Sequence, residues 1–460
     1  MKRAGYVVLL TLAILSTSAG SAFALSRSSM SRVLSGLAVQ EENNSLRHIH
    51  TKWFQTNYSY STVAISSITE ASGTVGATGT IEVLQPPKGF SAKSVDEGGA
   101  FRPGGIVSAM AVGPRPGSTM EQAQASYATA LALSNGTYSA GRVGVSNAEA
   151  LRRVVAWNNG LALSHVRGQW GGSWQSALWT YYLGASSKKV WSSLPTCTQE
   201  LVTASVAAEA NRLLAIDPPY YRNASGKIVS PGDSKSEENA WNASLLFLAA
   251  RMYSDGDPAL AARWEAWARR YALTAYATPD QVHATSRIHG SNLNPNGTVV
   301  NHHIIHPDYM ATAGEMKGKY LLVAFWTGTP EAWEGSNRFS RVWQGLTQVK
   351  FSGKSVRKPG GTIYRVGKHG AATADVFYPQ GTDWSQKRRE NFALMDVSMF
   401  AAGHNYAYIW AKAHITYVLA QQARHPDGSV YSPGETRAVG EEQFAAASAA
   451  ETVELLRTVH

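Results

Sequence analysis

The chain has a single cysteine, Cys197, among 460 residues. An intramolecular disulfide framework is therefore excluded, and stability must come from packing. Cys197 sits in a Thr/Ser setting, which reads as a structural position rather than a nucleophile. After the first residues no stretch approaches the roughly 18 uninterrupted apolar residues of a membrane span. No Gly-x-Ser-x-Gly elbow and no His-Glu-x-x-His pair occurs, which argues against a serine hydrolase of that type and a zinc protease. No strict repeat is present, so a solenoid of fixed period is disfavoured. Acidic residues are the scarcer sign: 32 Asp and Glu against 42 Lys and Arg give a formal charge of +10.

Part of the excess charge is local. Lys350, Lys354, Arg357, Lys358, Arg365, Lys368 and His369 fall in one stretch without an acid among them. Such a patch attracts polyanions. No nucleic-acid-binding motif accompanies it, so acidic polysaccharide is the expected partner and nucleic acid is not.

The N-terminus reads as a secretory signal over residues 1–24. Lys2 and Arg3 precede an apolar stretch from Tyr6 to Leu15, and Ala22-Phe23-Ala24 offers a small-residue cleavage site. A secreted protein, extracellular or periplasmic, is expected, and residues 25–460 form one catalytic domain.

Helical periodicity dominates what remains. Amphipathic stretches span Met120–Ser134, Asn147–Val166, Ser173–Gly184, Thr198–Ile216, Glu237–Tyr253, Pro258–Tyr276, Tyr309–Thr327, Pro330–Leu346, Trp384–Ala401, Tyr406–Gln422 and Glu441–Val459. Strand-like alternation is confined to Tyr60–Leu84 and Thr362–Phe377, and residues 45–117 read as an irregular excursion. Helical hairpins in this number predict an all-α chain built as an α/α toroid, an incomplete (α/α)5-6 barrel, and a monomer.

Three segments carry chemistry. The first runs from Asn296 to Tyr309 and holds His302, His303 and His306, with Asn301 before them and Asp308 and Tyr309 after. Imidazole, carboxylate and phenol groups crowded together suit proton transfer or metal binding. His302 and His306 are four apart, but Pro307 and the flanking Val-Val and Ile-Ile pairs argue against a helix presenting them to a metal. No metal or other cofactor is expected. The second segment, Pro231–Asn242, places Glu238 and Asn239 at the start of a helix, where the dipole alone would favour acids and where Asp233 or Ser234 could cap. The third, Tyr378–Trp384 with Arg388 and Arg389, offers Asp383 as an acid/base or a helix cap, and two guanidinium groups for a carboxylate. Trp170 and Trp174, with Gln175, lie in a glycine-rich loop suited to sugar stacking.

The run Asn296-Gly297-Thr298-Val299-Val300-Asn301-His302, followed by Tyr309, resembles the chondroitin/hyaluronan-type polysaccharide lyases. Their helical toroid carries an Asp-Gly-Ser-x-x-Gln-His segment with a tyrosine shortly after. Asn296 stands for the Asp, Thr298 for the Ser and Asn301 for the Gln, while Gly297 and His302 are kept. Asn239 is similar to that family's catalytic asparagine, and the Trp170/Trp174 loop to its aromatic patch. The large β-domains of those lyases are missing. The resemblance implies β-elimination at a uronic acid. Asn239, with a His or Arg, would neutralise the carboxylate, and Tyr309 or His302 would remove the C5 proton. His303, Arg287 and His306 would lend positive charge, and Trp384 a sugar contact. Two alternatives stand beside it: a glycoside hydrolase using a pair from Glu238, Asp308 and Asp383, and a secreted carbohydrate-binding protein.

Overall fold

A computed structural model describes residues 25–65, 68–70, 73–76, 78–85, 116–282, 288–329, 336–435 and 440–459. The expected signal segment and Arg287 lie outside them. The chain is mostly helical with little sheet. Twelve longer helices position the site: α1 (Arg27–His48), α2 (Pro116–Asn135), α3 (Asn147–Val166), α4 (Ser176–Lys189), α5 (Thr196–Leu214), α6 (Ser236–Met252), α7 (Pro258–Ala275), α8 (Pro307–Thr327), α9 (Ser336–Thr347), α10 (Arg389–Ala401), α11 (Ala407–Gln422) and α12 (Glu441–Arg457). None of the described helices is long and apolar enough to cross a membrane.

The packing order is regular. The even-numbered helices contact one another in sequence, α2 with α4, α4 with α6, α6 with α8, α8 with α10 and α10 with α12, and α12 returns to α2. The odd-numbered helices each pack against an even-numbered one: α3 against α2, α5 against α4, α7 against α6, α9 against α8, α11 against α10 and α1 against α12. Close approach of α8 and α10 depends on small residues. A Cβ at Gly314 would overlap Met395, and one at Gly318 would lie 2.7 Å from Ser398 Oγ.

Local signals explain several ends. Ser146 caps α3 by accepting from the Glu149 amide at 3.2 Å. Asp257 caps α7 ahead of Pro258. Gly328, in the left-handed conformation, closes α8. The expected caps Asp233 and Ser234 do not cap α6, whose N-cap is Lys235.

Residues 45–57 are not part of an excursion. They finish α1 and continue through a π-helical turn and a short helix to Asn57. Among the described residues, sheet is limited to short antiparallel pairs: β1 (Ser59–Ile65) with β4 (Gly79–Gln85), β2 (Ile68–Glu70) with β3 (Gly73–Val75), β5 (Arg222–Asn223) with β6 (Gly290–Ser291), β7 (Val300–Asn301) with β8 (Ile304–Ile305), and β9 (Tyr364–Val366) with β10 (Ala372–Val376).

Candidate active site

The histidine-rich run folds as a minimal hairpin. Asn301 pairs with Ile304, which leaves His302 and His303 as a two-residue turn. Both take left-handed backbone, φ 49° and 65°. That is the signature of a primed hairpin turn, normally filled by Asn and Gly. Left-handed backbone on two histidines is unfavourable, and such positions concentrate at functional sites. Two contacts hold the turn down. The His303 amide donates to the Gly232 carbonyl at 2.9 Å and the Ser234 amide to the Val300 carbonyl at 2.7 Å.

Strand β8 runs straight into α8. His306 is the N-cap residue and Pro307 occupies the first turn, where its fixed φ and missing N–H are tolerated. One helical turn on, Tyr309 meets His306 edge-on (centroids 4.8 Å apart) and lies tilted against Trp384 (4.6 Å), with His306 and Trp384 also in contact.

The loop of residues 378–384 is clamped onto this start. Tyr378 Oη and Thr382 Oγ1 donate to Asp308 at 3.2 and 3.4 Å. The Ile305 amide donates to Gln380 Oε1 at 2.6 Å. Asp383 is thereby set between two imidazoles, with Oδ2 2.7 Å from His302 Nδ1 and Oδ1 3.0 Å from His306 Nε2. Burial works to raise the Asp383 pKa, but the His306 hydrogen bond and the charge of His302 outweigh it and hold the carboxyl below its ordinary value. An ionised Asp383 only accepts, so both ring nitrogens facing it carry protons. When the His302 ring is neutral, its other nitrogen, Nε2, keeps a lone pair 3.2 Å from Tyr309 Oη and can accept from the phenol. Burial lowers the His306 pKa to about 4, against the pull of Asp383, so that ring is neutral at pH 7.

The chain Tyr309–His302–Asp383 opens on a cavity of about 510 Å³ whose wall includes Trp174, Lys235, Glu238, Asn301, His303 and Tyr309. Trp174 is exposed, donates from Nε1 to Glu238 Oε1 at 2.8 Å, and meets Trp241 edge-on. Lys235 bridges Asp233 and Glu238 at 2.5 and 2.9 Å. Burial would lower its pKa; Glu238 and Asp233 prevail and raise it to about 12. Asn301 links the two halves: it donates to Glu237 Oε1 at 3.1 Å and accepts from the His302 amide at 2.8 Å. Glu237 also lines the cavity. Burial, then the neighbouring Glu238, pushes its carboxyl well above the ordinary range.

The sequence-derived candidates divide accordingly. His302, His303, His306, Tyr309, Asn301, Asp383, Trp384, Trp174 and Glu238 come together. Asn239 does not. Its amide is buried and donates to the carbonyls of Pro219 and Lys235 at 2.7 and 2.6 Å, so it braces the loop before α6. Trp170 is core, donating to Leu161 O and Ser164 Oγ, and Gln175 is buried at the N-cap of α4. Arg388 and Arg389 are buried. Arg388 pairs with Glu441 at 2.8 Å and lies over Trp384, while Arg389 donates to the Ala374 carbonyl. Asp308, wholly buried under Tyr378 and Thr382, cannot meet a sugar. Burial raises its pKa to about 6 against the pull of Arg388 and Arg389.

Gly232, Lys235 and Glu237 were not among the candidates. The cluster of Asp233, Lys235, Glu237 and Glu238 at the start of a helix carried a signal, but helix-dipole chemistry explained its glutamates equally well.

No protein-family model, curated protein or solved structure matches this chain.

Proposed function

We propose that the protein is a secreted polysaccharide lyase that cleaves an acidic polysaccharide by β-elimination at a uronic acid. The observation that carries this reading is the hydrogen-bonded chain Tyr309–His302–Asp383 at the edge of a cavity walled by Trp174. Elimination needs a base at C5 and a proton for the leaving oxygen. An ordinary phenol titrates near 10 and is a weak base at neutral pH. Here His302 Nε2 takes up the phenolic proton as Tyr309 engages C5–H, and Asp383 stabilises the imidazolium that forms. Tyr309, now carrying the C5 proton, passes it to the glycosidic oxygen, and His302 returns the phenolic proton to Tyr309.

The uronate carboxylate needs a partner for its developing charge. With Asn239, Arg388 and Arg389 engaged elsewhere, His303 and Lys235 take that role on the cavity wall. The upward-shifted Glu237 carboxyl, buried beside Glu238, repels an anion less than an ordinary glutamate would. Arg357, in the exposed basic run of Lys350, Lys354, Arg357 and Lys358, lies close by, its guanidinium resting against Gly381, two residues from Asp383. It gives an acidic chain a favourable approach.

The cyclic order of helix contacts supports an α/α toroid in which α2, α4, α6, α8, α10 and α12 form the inner wall. On that reading the cavity sits at one end of the inner wall, where α6 and α8 begin.

Hydrolysis remains the second reading because Glu238 lines the cavity and Asp383 adjoins it through His302; two carboxylates are what that chemistry requires. A panel of uronic-acid polysaccharides separates the two. Elimination yields an unsaturated, ultraviolet-absorbing end together with each new reducing end. New reducing ends without that absorbance would mean hydrolysis.

A further inference from the structure

His302, His306 and Asp383 also satisfy a different chemistry. Their ligand atoms lie within 4.8 Å of one another. Three donors around one zinc ion, each at about 2.0–2.2 Å, sit about 3.4 Å apart, so the imidazole–carboxylate contacts of 2.7 and 3.0 Å would open slightly around the ion while the widest separation closes. Two imidazoles and one carboxylate form a donor set for first-row transition ions rather than for calcium or magnesium, which take oxygen ligands. His302 and Asp383 are exposed, so water can complete the coordination.

A second observation is independent of that convergence. His306 is completely buried, and its Nδ1 has no hydrogen-bond partner. A neutral imidazole has one N–H, and Asp383 takes it at Nε2. Nδ1 is then a bare lone pair 3.7 Å from the Asp308 carboxylate oxygen, acceptor facing acceptor. An ion on Nε2 would reverse this arrangement. The ring proton would move to Nδ1 and point at Asp308. A metal-bound histidine backed by a carboxylate is the usual outer-sphere pattern of such sites. Asp308 is held ready for it by Tyr378 and Thr382.

We infer that His302 Nδ1, His306 Nε2 and Asp383 form a site for one divalent first-row transition metal ion, with Asp308 orienting His306 from behind. The ion would displace the protons that these two nitrogens share with Asp383. His302 would then carry its proton on Nε2 and donate to Tyr309, the reverse of the metal-free arrangement. Proton transfer from Tyr309 to His302 belongs to the metal-free chain, so the inference goes beyond the lyase reading, and it is tested without turnover.

The full chain, free of any histidine tag, is titrated with Zn²⁺ against a chromophoric chelator, and with Co²⁺ by visible absorption. One Zn²⁺ per chain is expected, with Co²⁺ bands of a four- or five-coordinate site. Millimolar Mg²⁺ or Ca²⁺ should not compete. His302→Ala and Asp383→Ala alter exposed side chains and should each weaken Zn²⁺ binding at least about tenfold, with circular dichroism unchanged. Asp308→Asn should weaken it about 10–100-fold. Absence of saturable binding by the native chain overturns the inference. So does binding that His302→Ala and Asp383→Ala leave unchanged, which would locate the ion elsewhere.

Discussion

Tyr309 is useful as a base only if its proton has somewhere to go. On the proposed reading His302 supplies that destination, and Asp383 fixes which nitrogen of His302 is available. A carboxylate at Asp383 demands the proton on Nδ1 and so leaves Nε2 free for the phenol at 3.2 Å. Asp383→Asn keeps the shape but offers an amide whose NH₂ can favour the opposite tautomer. We expect kcat to fall by about 10²–10⁴, the range for loss of an acid/base partner or its orienting acid, with KM changed less than about threefold. Steady-state kinetics on a uronic-acid polysaccharide check this; a lower affinity at unchanged kcat would assign Asp383 to binding alone. At this scale the sequence was legible in part. His302, Tyr309 and Asp383 were visible as residue types in the right company. The roles of Asn239, Arg388 and Arg389 were not, because local sequence does not reveal whether a polar side chain points into a cavity or is consumed by a buried carbonyl or carboxylate.

Among the elements, the β7–β8 hairpin decides the site. It was hidden because hairpin turns are recognised by Asn-Gly or similar pairs, and this one uses two histidines. Val-Val and Ile-Ile on either side argued against a helix there but did not reveal the turn. The hairpin rests on Gly232, which has φ 78° and no space for a side chain, since a Cβ there would overlap the His303 ring. Gly232→Ala should therefore displace the turn and lower kcat more than about tenfold. The core helices do not depend on this loop, so Tm should fall only a few degrees. Calorimetry beside kinetics distinguishes this from general unfolding. Among the helices, 3.6-residue periodicity located most of the described ones to within a few residues. α1 escaped because its buried face is partly polar: Glu41, Glu42, Asn43 and Ser45 are buried beside Met30, Leu34 and Leu46. The α10 helix begins at Arg389 rather than Trp384, because residues 384–388 continue the loop that carries Asp383.

The whole molecule has an unusually ionisable interior. Lys319 on α8 pairs with Glu451 on α12 at 2.6 Å. Glu315, also on α8, has both carboxyl oxygens buried without a hydrogen bond. Burial raises Glu42 and Glu315 each to about 8. A carboxyl whose folded pKa exceeds its unfolded value near 4.5 binds its proton more tightly when folded. The linked stability is fully present below about pH 4.5, declines as pH rises, and is gone above about pH 8. On the acid side Glu209 opposes this trend. Burial would raise it, but the His165 hydrogen bond and Arg212 prevail and lower it to about 2, so its contribution is lost as pH falls toward 2. Urea midpoints should therefore decline between pH 5 and 8, and Glu315→Gln should flatten that decline. An unchanged slope in Glu315→Gln would mean that Glu315 is not protonated in the folded chain. None of this was legible in the sequence, where these acids read as ordinary helix residues. Their burial follows from contacts between helices distant in sequence, which periodicity along single segments does not report.

The central claim is that Tyr309 moves the proton in an elimination. It is tested by following ultraviolet absorbance of the unsaturated uronate end and release of reducing ends together, for the native chain and for Tyr309→Phe, on the same acidic polysaccharide. The native chain should produce the two signals in equal amounts, and Tyr309→Phe should produce neither at a measurable rate while keeping its fold and its affinity for the polysaccharide. Elimination by Tyr309→Phe at the native rate, or reducing ends from the native chain without the absorbance, would contradict it.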